Sequence, residues 1–167
     1  MTEHEQRAQA LFLQGYNCAQ SVFCAFCDQT GLSEGEAARL ASSFGGGMGR
    51  MREVCGAMSG AFLTLGALRG YDDPTAREEK KAQYAAVQAL AARFREENGS
   101  ILCRELLQGQ MPGHDPTPEA RTAEYYKKRP CKELVACAAR LLDELLAAQE
   151  EAVRSCTTRT QPEKRNE

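Results

Sequence analysis

The sequence predicts an all-α fold, a single-domain bundle of about seven or eight helices around a central, apolar, glycine-rich helix. Three observations predict it. The long segments are built from Ala, Leu, Glu, Arg, Lys and Gln, with Val and Ile scarce, which is the composition of helices rather than strands. Apolar residues recur at helical spacing and are punctuated by Gly, Asn and Pro where helices begin and end. The 167 residues are 43% hydrophobic and 26% charged, enough for one core, too apolar for a disordered chain and too polar for a membrane protein.

Residues 4–14 read as a first amphipathic helix with Ala8, Leu11 and Phe12 on one face, ended by Gly15. Asn17 is a good N-cap for a second helix from Cys18 to Thr30, stopped by Gly31. Ser33 and Glu36 form a capping box that opens a short helix to about Phe44. The glycine-rich stretch Gly45-Gly46-Gly47-Met48-Gly49 follows, and a fourth helix is expected from Arg52 or Glu53 to Leu68. That helix is apolar nearly all round, which places it at the centre of the bundle. Gly56 and Gly60 share a face of it, so another helix or a bound group can approach the backbone there.

Asp73 and Pro74 pattern as N-cap and first helical residue of a long helix to Glu97. Ser100 is expected to cap a short helix over 101–108, residues 110–117 to form a loop, and 118–128 to form another helix. Pro130 starts the last long helix, expected to end near Arg154. The helical domain is thus expected over 1–154 and a disordered polar tail over 155–167.

The eight cysteines fall into two kinds. Cys18, Cys55, Cys103 and Cys131 are each expected in the first turn of a different helix. The free N–H groups and dipole of a helix start favour a thiolate, lowering a thiol pKa from about 8.5 toward roughly 3.5–7.5. Thiolates are both the nucleophiles of disulfide exchange and the ligands of zinc and iron. Cys24 and Cys27 lie mid-helix and, on a continuous helix, point away from Cys18; core packing is the expectation for them and for Cys137, and Cys156 is read as incidental.

The segments Gly15-Tyr16-Asn17-Cys18-Ala19-Gln20, Phe44-Gly45-Gly46-Gly47-Met48-Gly49, Cys55-Gly56-Ala57-Met58-Ser59-Gly60 and Cys103-Arg104-Glu105-Leu106-Leu107, with Cys131, resemble the C-GCAxxG-C-C family of redox-active proteins. The similarity runs from about residue 5 to residue 148. It implies a helical domain in which Cys18, Cys55, Cys103 and Cys131 act together.

Three functions compete for that set. The leading one is a metal centre, in which the four thiolates hold an iron–sulfur cluster or zinc, the glycine loop directs N–H groups at the sulfurs, and Gly56 and Gly60 make room for the group. The second is a metal-free thiol–disulfide protein with Cys55 as the reactive thiol and Cys18 as its resolver. The third is a non-catalytic helical module that binds a partner. The redox readings imply a redox partner protein. A net charge of −2 gives no reason to expect nucleic acid. The acidic N-terminal residues and the lack of a long apolar run predict a cytoplasmic protein with reduced thiols and no membrane contact. His114 beside Asp115 reads as an exposed loop residue and His4 as idle. Tyr125 to Arg129 reads as a basic helix end that complements the dipole.

Overall fold

A computed structural model of the chain describes residues 1–109 and 115–158, with side chains to Ser155. His114, the side chain of Cys156 and the tail from 159 lie outside the described residues. Among the described residues the fold is all-helical, with no strand. Helices α1 (Glu3–Leu13), α2 (Cys18–Ala25), α3 (Cys27–Thr30) and α4 (Glu34–Ala41) precede a short 3-10 turn, Ser42–Phe44, and the glycine turn α5 (Gly45–Met48). Helices α6 (Gly56–Arg69), α7 (Arg77–Asn98), α8 (Cys103–Leu106), α9 (Ala123–Lys128) and α10 (Cys131–Thr158) complete it. No helix is long and apolar enough to cross a membrane.

Capping chemistry explains most of the starts. Thr2, Asn17 and Ser33 each accept a hydrogen bond from the backbone three residues on, and Glu5, Gln20 and Glu36 reach back to close the box. The core lies between α2 and its neighbours. Helix α2 packs on α1, α4, α6 and α10, and its Ala19, Val22, Phe23, Cys24 and Ala25 are buried. Helix α6 packs on α2, α10 and α7, with Met58 and Leu65 fully buried. Along its outer turns Phe62 and Leu63 are only half-buried and border an apolar groove with Leu40 and Phe44.

Several boundaries differ from expectation. The second helix breaks at Phe26 (φ −101°, ψ 20°), so Cys24 and Cys27 belong to different helices. The break turns Phe26 into the core, where the His4 ring stacks on it at 4.0 Å. His4 is not idle: its Nδ1 lies 2.6 Å from Asp143 and its Nε2 3.1 Å from Asp28, tying α1 to α3 and α10. Helix α7 starts at Arg77 because the Asp73 carboxylate accepts from the Thr75 N–H and hydroxyl, closing a local turn instead of a cap. Residues 115–122 carry no regular structure, and α9 begins after its own cap, Thr122. Helix α10 continues past Arg154 to Thr158.

Candidate functional site

Three backbone devices deliver the four cysteines. Asn17 places Cys18 at the first position of α2, and its Nδ2 also donates to the Ser42 carbonyl at 3.0 Å, pinning α2 to the 3-10 turn that leads into the glycine turn. Segments 52–55 and 101–104 then run antiparallel. Cys55 N–H donates to Ile101 O at 2.8 Å, Cys103 N–H to Glu53 O at 2.6 Å, and Arg104 N–H to Arg52 O at 3.1 Å. This isolated bridge, Val54 against Leu102, sets Cys55 beside Cys103. It also moves the helix starts: Cys55 is the residue before α6, and Cys103 opens α8 without Ser100 as cap. Ser100 instead accepts from the Leu102 N–H at 2.9 Å. Cys131 is the first residue of α10, after Pro130.

All four cysteines line one cavity of about 50 Å³, together with Gly46, Gly47 and Gly56. The glycines are required by space. Gly47 sits at φ +62°, and a Cβ there would stand 2.7 Å from the Cys103 Cβ. A Cβ at Gly56 would stand 3.0 Å from the Cys18 Cβ and 3.1 Å from the Phe44 carbonyl oxygen. Gly60 lies elsewhere, against the Ala19 carbonyl of α2. Cys24, Cys27 and Cys137 do not line the cavity; the Cys24 thiol donates to the Glu34 carbonyl at 3.7 Å.

The thiols are not equivalent. A hydrogen bond from Cys18 lowers the Cys131 pKa below the ordinary thiol value; burial opposes it, and the guanidinium groups of Arg129, Arg121 and Arg52 add to the lowering. The same bond raises Cys18 well above that value, reinforced by its burial and by the neighbouring cysteines. Burial pushes Cys55 up to about 12 against the pull of the Ala57 and Met58 N–H groups. Burial also raises Cys103, opposed by Arg52, whose Nη1 lies 3.9 Å from its sulfur. Of the four thiols, Cys131 is thus the one whose pKa is lowered, while those of Cys18, Cys55 and Cys103 are raised. Among the described residues, no group of three or more His, Cys, Asp and Glu side chains is placed so that it could hold a metal ion.

The arginines and Tyr125 around the thiols were not singled out as site residues in the sequence. Arg52, only 4% exposed, adopts φ +62° at the end of the glycine turn. Arg129 is 9% exposed, so it is a buried site residue rather than a free helix-end cation. Arg121 and Arg129 each lie 4.7 Å from the centroid of the Tyr125 ring. Burial raises the Tyr125 phenol to about 12, so it stays neutral. The one sequence signal was the aromatic-basic run ending at Arg129, directly before Pro130 and Cys131.

No curated protein and no solved structure matches the chain. One family's sequence profile matches residues 16–145, a span that holds all four cavity cysteines. The chain belongs to the C-GCAxxG-C-C family, whose description is a putative redox-active protein.

Proposed function

We propose that the protein is a thiol–disulfide redox protein in which Cys131 is the attacking thiolate and Cys18 the resolving thiol. The observation that carries this reading is the convergence of Cys18 and Cys131 on one cavity walled by Arg52, Arg121 and Arg129, where Cys18 and the three guanidinium groups lower the Cys131 pKa. In the first step the Cys131 thiolate attacks one sulfur of a substrate disulfide. A Cys131–substrate bond forms, the substrate S–S bond breaks, and the other half leaves as a thiolate that takes up a proton. Cys18 then gives its proton to the second leaving thiolate as its sulfur attacks Cys131. The substrate is reduced to two thiols, and the protein is oxidised by two electrons to a Cys18–Cys131 disulfide.

Cys55 and Cys103 stay protonated by burial and wall the cavity. The test is oxidation of the reduced protein with oxidised glutathione followed by peptide mapping. Wild type should yield a Cys18–Cys131 bridge, and Cys18→Ser should accumulate a glutathione adduct on Cys131. An adduct that forms on Cys55 or Cys137 as readily as on Cys131 overturns the assignment.

A metal centre is the second reading, favoured by four thiols on four elements facing one cavity. Zinc or an iron–sulfur cluster would take Cys18, Cys55, Cys103 and Cys131 as ligands and supply a structural site or one-electron transfer. Metal analysis and an absorption spectrum of protein purified without oxygen decide between the two. Stoichiometric iron or zinc, lost in the cysteine variants, replaces the exchange reading with this one.

A further inference from the structure

The thiol cavity adjoins a wider cleft of about 430 Å³, and the two share Asn17, Gly46, Arg52, Arg121, Tyr125 and Arg129 in their walls. The cleft is strongly cationic, since Arg50 lines it as well. The carboxylate within it is Glu119, which pairs with Arg129 at 2.6 Å, Arg50 at 3.5 Å and Arg52 at 3.9 Å. Asp115 lies beside Arg50, whose Nε donates to its carbonyl at 2.7 Å. Among the described residues, four guanidinium groups therefore line the cleft with one carboxylate, Glu119. The buried side is under-satisfied too: Arg52 Nε and Nη2 and Arg121 Nη1 make no hydrogen bond among the described residues. A buried guanidinium with idle donors at the wall of a cleft is a preformed receptor for a planar oxoanion. Glu119 shows the receptor at work, a carboxylate held among arginines.

We propose that this cleft is the substrate-recognition subsite for small disulfides that carry carboxylates, with the carboxylate held by Arg52, Arg121 and Arg129 and the disulfide delivered to Cys131. Glu119 occupies part of this subsite and yields it to the substrate. The inference rests on the exchange reading above and adds the substrate's charge. The chemistry is the first exchange step already written, with the substrate's disulfide as the oxidant.

The test compares two disulfide reagents on the reduced full chain at one ionic strength. One is dithiobis(nitrobenzoate), which carries two carboxylates; the other is dithiodipyridine, which is neutral at neutral pH. Both report the leaving thiolate by absorbance, and the ratio of their rates cancels any change in the Cys131 thiolate fraction. The ratio should fall by about tenfold in Arg121→Gln, the loss of one charge-assisted pair. It should rise several-fold in Glu119→Gln, where the competing carboxylate is gone. Arg50→Gln, on the outer rim, should lower it in the same direction and serves if the Arg121 variant fails to fold. A ratio unchanged in both the arginine and the Glu119 variants overturns the subsite, while fast reaction of Cys131 with dithiodipyridine keeps the exchange reading intact. Slow reaction of Cys131 with both reagents overturns the exchange reading and the subsite with it.

Discussion

Replacing Gly60 by alanine would put a methyl carbon 2.5 Å from the Ala19 carbonyl oxygen, 3.0 Å from the Val22 Cβ and 3.1 Å from the Ala19 Cα. The oxygen belongs to the backbone of a buried helix and has no rotamer in which to retreat. Relief requires α2 and α6 to part by roughly 0.5–1 Å, a gap that forfeits a quarter to a half of the dispersion attraction between facing atoms. Overpacking of this kind costs about 1–3 kcal/mol, while alanine regains up to about 1 kcal/mol of helix propensity. The net expectation is a loss of about 1–2 kcal/mol. Gly66, on the same helix, is the internal control: it is exposed, and a Cβ there meets nothing within 4 Å. Gly66→Ala should therefore stabilise the protein by about 0.5–1 kcal/mol. Urea melts of the fully reduced protein measure both, with an unchanged slope showing that only stability has moved. If Gly60→Ala is as stable as wild type, or if both substitutions shift the midpoint the same way, the close approach of α2 and α6 is not what constrains this position.

Three further outcomes are expected. Alkylation of the reduced protein with iodoacetamide, mapped by peptide, should label Cys131 first and persist as pH falls below the ordinary thiol range, because its pKa is lowered by Cys18 and the arginines; equal labelling of Cys131 and Cys137 refutes this. Burial pulls the His4 pKa down, but its bonds to Asp28 and Asp143 outweigh that and raise it above 6.5. A group raised on folding contributes fully below its unfolded value and loses that contribution as pH rises through the folded value. The stability gap between wild type and His4→Gln should thus be widest near pH 6 and narrow above it, and a gap that widens on alkalinisation refutes the clasp. Asn17→Ala removes the α2 cap and the tie to Ser42, and should cost about 1–2 kcal/mol in a urea melt; a loss near zero would show the cap to be idle.

The sequence carried the helices well because their starts are chemical, as at Asn17 and Ser33, where side chain and backbone three residues on satisfy each other. It carried the boundaries poorly wherever a donor found a different partner. Asp73 turned onto Thr75, and residues 101–104 spent their backbone groups on segment 52–55, a pairing between stretches that are far apart in the chain and show no strand pattern. The four cysteines could be picked out by position and by family resemblance, yet nothing local distinguished their acidity. Cys55 looked the most reactive because it follows the glycine loop. It is pushed up by burial, while the Cys131 pKa is lowered by Cys18 and by Arg129, Arg121 and Arg52, residues that only the tertiary fold gathers. Arg52 in particular was hidden, since its inward direction follows from a left-handed backbone that non-glycine residues seldom adopt.

Cys131 opens the final helix, whereas its hydrogen-bond donor Cys18 opens the second. A chain still on the ribosome therefore cannot assemble the four-cysteine cavity until α10 has emerged, and until then its earlier cysteines stand apart from one another. The shared cavity comes into being only when α10 docks against α1 and α2.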